Sequence, residues 1–211
     1  MISKRLTEIA SFINKNEVVY DVGTDHGLLP CFLISEGIAR KVYASDNKEG
    51  PLNKARENIS LYRLEDRIIP VLADGLDKCP KDVDVVTISG MGFNTVRGIL
   101  DRTDLSSYKR LIIQVNKDTK HLRDYISKHN YTIENEKVIF DEFYYEVVSF
   151  NTNYHEPYSK LEIEYGPINL KNRNEDFINY ISYELNKYRE INQPKYNRKI
   201  EELIEILSYN K

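Results

Sequence analysis

The sequence predicts an α/β fold: a seven-stranded, mostly parallel sheet followed by a C-terminal antiparallel helical hairpin. Three observations predict it. Short β-branched runs recur between amphipathic segments, most densely at residues 83–89 (VDVVTIS), the pattern of strands buried on both faces and joined by helical crossovers. Residues 132–140 and 144–150 then alternate around Asp141-Glu142-Phe143, which reads as a β-hairpin that adds an antiparallel strand at one edge. Beyond about Asn172 the pattern is purely helical. Ile178, Ile181, Leu185 and Tyr188, and then Ile200, Leu203, Ile204 and Leu207, keep heptad-like spacing on either side of Gln193-Pro194, as in a coiled-coil hairpin.

The elements follow in order. Leu6, Ile9, Ala10 and Ile13 recur at helical spacing, with Ser3 as a plausible N-cap. Lys4 and Arg5 fall in that first turn, where cations oppose the helix dipole. They make either a solvated basic turn or, for Arg5, a reach toward the mouth of a site. A strand at 18–21 precedes a helix at 28–37, a strand at 41–45, and a helix from Pro51, a good first helical position, to about Tyr62. Residues 68–73 and 83–89 are strands. The second ends in Gly90-Met91-Gly92 and a short helix, followed by a strand at 108–115 and a helix at 119–129. The pattern breaks at 151–157, dividing the chain into residues 1–155 and a helical extension, 156–211.

A chain of 211 residues with 41% apolar and 30% charged residues suits a globular protein with a sizeable core. A net charge of −3 argues against a broad basic surface, so nucleic-acid contact would need a local patch. The two cysteines, Cys31 and Cys79, have no metal-like spacing and read as core or loop thiols, which suits a reducing cytoplasm. No run is long enough to span a bilayer, the N-terminus does not read as a signal peptide, and no metal site is visible.

Residues 18–30 (VVYDVGTDHGLLP) organise the rest. A strand ends at Asp21, a turn bears Gly23 and Gly27, and a helix follows, which aims backbone N–H groups at a polar ligand. The next strand ends at Asp46, where a carboxylate can take both ribose hydroxyls. This is an adenosine-binding half-fold. The turn departs from G-x-G-x-x-G, because Asp25 stands where the middle glycine would approach a pyrophosphate. S-adenosylmethionine carries a sulfonium and an ammonium instead, and acidic neighbours attract both. The departure therefore favours S-adenosylmethionine over NAD. Asp21, Asp46 and Asp74, at the ends of three successive strands, form the cofactor set with Gly23, Thr24, His26, Asn47, Gly75, Gly90 and Met91. Five α/β repeats closed by a β-hairpin give the Rossmann-like class I methyltransferase sheet rather than a symmetric dinucleotide fold. SGMGF after strand four lacks the D/N-P-P-Y/F sequence of exocyclic-amine methylases, and no cysteine follows it to attack a pyrimidine.

SKRL (3–6), DVGTDHGLLPC (21–31), ADGL (73–76), SGMGF (89–93) and QVN (114–116) occur together and in order. This combination resembles the bacterial tRNA (adenine-22) N1-methyltransferases over the whole chain. Members more often read GMGG and QPN, so Phe93 and Val115 are departures beside the expected base pocket. The resemblance implies methyl transfer from S-adenosylmethionine to N1 of an adenine of tRNA. Asp25 would then stabilise the cationic product, His26 and Asn116 would orient the base, and Phe93 would stack on it. Arg5 and a basic hairpin tip of Lys187, Arg189, Lys195, Arg198 and Lys199 would hold phosphates, unless that tip is only a solvated end. A monomer is expected. The competing readings are a small-molecule methyltransferase on the same sheet and a non-catalytic module with a vestigial pocket.

Overall fold

The computed structural model describes residues 2–208. Seven strands, β1 (Glu17–Val22), β2 (Ala39–Asp46), β3 (Ile68–Leu72), β4 (Val85–Met91), β5 (Arg110–Val115), β6 (Tyr131–Asp141) and β7 (Phe143–Tyr154), form one sheet in the order β3-β2-β1-β4-β5-β7-β6. β7 runs antiparallel to both its neighbours, and the remaining pairs are parallel.

Period-2 alternation along the central strands sends neighbouring residues to opposite layers. Val19, Val85 and Ile112 face a layer holding Ile9, Leu33 and Ile59, contributed by α1 (Lys4–Ser11), α2 (Leu28–Ser35) and α3 (Glu49–Leu61). Tyr20, Val86 and Ile113 face the opposite layer with Val96, Ile99, Leu122 and Ile126 from α4 (Phe93–Leu100) and α5 (Thr119–Lys128). The β-branched runs are thus buried on both faces, as their composition predicts. Ser3 does cap α1, its hydroxyl accepting from the Leu6 N–H.

The extension holds more than a hairpin. Two short helices, α6 (Lys160–Tyr165) and α7 (Pro167–Asn172), precede α8 (Glu175–Ile191) and α9 (Asn197–Ser208). A capping box between Ser159 and Glu162 starts α6. Phe177, Ile181 and Leu185 of α8 bury against Leu203 and Ile206 of α9, and the same cluster takes in Val138 of β6 and Tyr165 of α6. The hairpin is therefore seated on the sheet edge. A buried ion group reinforces the seat: Arg123 Nε donates to Glu136 Oε2 at 2.8 Å, and its second arm pairs with Glu146. Glu136 Oε1 in turn accepts from the N–H groups of Ile168 and Asn169, at 2.8 and 3.1 Å.

Several boundaries move from the sequence reading. α3 starts at Glu49, so Pro51 is its third residue; its missing N–H is still one that a first turn leaves unpaired. Asp141 pairs directly with Phe143, and Glu142 alone makes the turn at φ 61°. β7 continues to Tyr154, where polar residues pair with β6 without alternating hydrophobicity.

Candidate active site

In this sheet the strand order reverses at β1, which lies between β2 and β4, and ligands of open α/β sheets bind at such a point beyond the strand ends. A cavity of about 520 Å³ lies there. Its floor is the turn between β1 and α2. Gly23 has φ +71°, a backbone conformation that L side chains rarely adopt, and a Cβ on it would meet the end of the Met91 side chain from the other glycine-bearing turn. Asp25 also sits in the left-handed region, at φ 52°, a conformation that Asp tolerates better than most residues. The glycine-like backbone of the turn is thus kept while a carboxylate is placed on it. Gly27 caps α2 without a side-chain hydrogen bond, so the first N–H groups of that helix stay open to an anionic group.

The strand-end acids converge on this cavity. Asp21 is buried, accepts from Thr87 Oγ1 at 2.7 Å, and is pushed up to about 6 by the loss of water around it. Asp46 accepts from the N–H groups of Lys48 (3.0 Å) and Asp25 (3.3 Å), so it ties the first turn to the end of β2. Asp74 meets the Arg102 guanidinium at 2.8 Å, which holds its carboxyl below the usual carboxylate range. Asp25 is exposed and lies 3.5 Å from His26 Nε2. Asn47, Thr24, Gly75, Gly90, Met91 and Arg5 also line the cavity.

The other sequence candidates lie outside its lining. Asn116 is adjacent: its backbone N–H donates to the Met91 carbonyl at 2.9 Å, and its side-chain amide donates to Gly90 O at 2.8 Å. Phe93 turns away toward α5, its ring 5.8 Å from that of His121. On the hairpin, Lys187 pairs with Glu184 at 2.9 Å, and Lys199 pairs with Glu164 and Glu202 while covering the Tyr165 ring. Among the described residues Arg189, Lys195 and Arg198 carry no ion pair, and the Lys195 ammonium lies 4.9 Å from the Tyr196 ring centroid. Cys31 and Cys79 are free thiols, each pushed up to about 11 by burial, which suits structural rather than nucleophilic cysteines.

The sequence reading missed Lys48, Pro51, Ser89, Thr95 and Ile99, all of which line the cavity. Ser89 immediately precedes the second glycine turn, and Thr95 and Ile99 are spaced i, i+4 on α4, so both signals were within reach. The sequence gives Gln114 no role of its own, although the buried side-chain oxygen accepts from Arg5 Nη1 at 2.6 Å and from the Gly90 N–H at 3.1 Å.

Comparison with known proteins agrees with this geometry. A methyltransferase-domain family matches residues 2–148. The chain is 31% identical over 141 residues to the tRNA (adenine(22)-N(1))-methyltransferase of Bacillus subtilis (strain 168), an alignment spanning 65% of this chain and 59% of that protein. It superposes on M. capricolum TrmK in complex with S-adenosyl-homocysteine at a TM-score of 0.80 and 32% identity, covering 98% of this chain and 95% of that one. For Streptococcus pneumoniae Sp1610 in complex with S-adenosyl-L-methionine the TM-score is 0.89 at 29% identity, over 98% of this chain and 100% of that one. With strand-end acids, paired glycine turns and helical extension all in place, the chain belongs to the methyltransferase-domain family and, within it, to the tRNA (adenine-22) N1-methyltransferases.

Proposed function

We propose that the chain transfers a methyl group from S-adenosylmethionine to N1 of the adenine at position 22 of tRNA, acting as a metal-independent cytoplasmic monomer. The observation that carries this reading is the convergence of Asp21, Asp25, Asp46 and Asp74 on one cavity. Four carboxylates there suit a ligand bearing sulfonium and ammonium charges and oppose a pyrophosphate. The Gly23 cradle and the uncapped N-terminus of α2 suit its carboxylate end, and Asp46 suits its ribose. When bound, the cofactor supplies an electrophilic methyl group.

The chain's own residues then position the base. Adenine N1 has an in-plane lone pair and needs no base to deprotonate it, so orientation and exclusion of water carry most of the catalysis. Asn116, whose amide nitrogen is held by Gly90 O, keeps its side-chain oxygen for the exocyclic amine of the adenine. His26 flanks the same edge. Asp25 stabilises the positive charge that develops as N1 becomes quaternary. N1 lies on the pairing edge, so the adenine is extruded from its stack, with Phe93 contacting the substrate strand. Arg5 and the hairpin cations Arg189, Lys195 and Arg198 hold phosphates, whereas Lys187 and Lys199 are engaged by carboxylates of the fold.

The test is methyl transfer from labelled S-adenosylmethionine to unmodified bulk tRNA, followed by nucleoside analysis. Labelled 1-methyladenosine that disappears when adenine 22 is replaced supports the assignment. Cofactor binding with no labelled nucleoside overturns it.

A further inference from the structure

A second cavity, of about 430 Å³, opens between α4 and α5, and α4 itself divides it from the first. Thr95 and Ile99 face the cofactor cavity, whereas Phe93, Arg97 and Asp101, each four residues apart, line the second. From α5 and its end come His121, Tyr125 and His129. The rings form two close pairs: Phe93 with His121 at 5.8 Å between centroids, and Tyr125 with His129 at 4.1 Å. At the rims stand two cations that, among the described residues, pair only with a carboxylate four positions away in sequence, Arg97 with Asp101 at 3.2 Å and Lys128 with Asp124 at 2.6 Å. Exposed pairs of this kind are weak enough to exchange partners.

Aromatic walls, rim cations and acidic acceptors within one small groove match what a splayed nucleotide offers: a ring to stack, a phosphate and exocyclic amines. The volume lies within the roughly 300–1,000 Å³ of small-ligand sites, which is too confined for a folded partner. Position adds to the case. Phe93 follows Met91, which borders the cofactor cavity, by two residues, so an adenine delivered to that mouth brings its strand neighbours to the start of α4. Extruding a base costs its stacking with those neighbours, and an aromatic groove beside the mouth restores part of it.

We propose that the α4–α5 groove is a second base-binding subsite, which holds a nucleotide adjacent to the methylated adenine with its ring against Phe93 and His121 and its phosphate near Arg97 and Lys128. This rests on the tRNA reading above.

The test uses tRNAs with an abasic residue immediately 5′ or 3′ of adenine 22, assayed for KM and kcat with the full-length enzyme and its His121→Ala and Arg97→Ala variants. Both replaced side chains are exposed, and S-adenosylmethionine affinity checks that each variant is folded. One abasic tRNA raises the wild-type KM by about tenfold, the scale of one lost stacking contact, with kcat within about twofold. His121→Ala raises KM on intact tRNA similarly and is then indifferent to that abasic change, while Arg97→Ala flattens the salt dependence of binding. Wild-type indifference to both abasic tRNAs overturns the proposal, as does a His121→Ala loss that multiplies with the abasic loss. Absence of methyl transfer to intact tRNA by the wild type overturns the tRNA reading and this subsite with it; the other two negative outcomes leave that reading standing.

Discussion

The Arg5 guanidinium donates to the side-chain oxygen of Gln114 at 2.6 Å, joining the first helix to the end of the fifth strand at the rim of the cavity. The same oxygen accepts from the Gly90 N–H at 3.1 Å, and the Gln114 amide is fixed by donating to Val115 O at 2.8 Å. The Arg5 backbone N–H is held by Asp141 at 2.9 Å, and its guanidinium lies over the Tyr145 ring. An arginine fixed at so many points is set in place before any substrate arrives, which reduces the ordering cost of binding.

Arg5→Ala should therefore raise the KM for tRNA by about tenfold, with cofactor affinity within about twofold, since one phosphate contact is lost. Gln114→Leu should produce the same rise by releasing Arg5. The double variant should be little worse than either single one, because residues that act as a unit do not add. Additive losses in tRNA binding assays would show that Gln114 acts independently.

Asp21 gives a pH signature. Its carboxyl titrates at about 6 in the folded chain, against an ordinary value of 3.8, because burial disfavours the anion. Between these two values the folded state keeps a proton that the unfolded state has released, so stability falls as pH rises through this window. At neutral pH the buried anion costs about 3 kcal/mol, an order-of-magnitude figure. Asp21→Asn should melt higher than the wild type at pH 7.5, by roughly 5 °C or more, with the gap closing near pH 4. In the wild type, S-adenosylmethionine affinity should weaken as pH drops below about 6, and the variant should bind weakly at every pH. Thermal scans and calorimetric titration from pH 4 to 8 measure both effects.

Arg123 is fully buried between Glu136 and Glu146. Arg123→Met would leave two carboxylates unpaired, and removing one partner of a buried pair costs about 3–5 kcal/mol. Melting should fall by roughly 6–20 °C. Because Glu136 also accepts from the Ile168 and Asn169 N–H groups, the α6–α7 segment should lose hydrogen-exchange protection before the central strands do. A uniform loss across the chain would argue against a local seat.

What the sequence made legible was whatever is local. Asp21, Asp46 and Asp74 announce themselves as acids at strand ends, and the Gly23 and Gly90 turns as breaks after apolar runs, so the cofactor wall could be read directly. The contact of Arg5 with Gln114 spans 109 positions and leaves no periodic trace. Arg123 reads as the solvated face of an amphipathic helix, because its burial depends on carboxylates from two later strands. α6 and α7 have six residues each, too few for helical periodicity to show. The motif places Phe93 near the base, but its direction is set by the rotation of α4, which only packing against α5 reveals.

The hairpin cations divide by their partners, and this yields a test of what the hairpin does. Lys199 is held by Glu164 and Glu202 and covers Tyr165, and Lys187 is held by Glu184, so their charges are already balanced within the fold. Among the described residues Arg189, Lys195 and Arg198 have no such carboxylate. A phosphate contact releases condensed counterions, and each one adds about 0.7–0.9 to the slope of log affinity against log salt. Replacing Arg189, Lys195 and Arg198 together by Ala should weaken tRNA binding and flatten that slope by about 2. Lys199→Ala should instead lower the melting temperature, through the packing and ion pairs it loses, and leave the slope nearly unchanged. Filter binding from about 50 to 300 mM salt separates the two, and an unchanged slope in the triple variant would remove the tip from the tRNA interface.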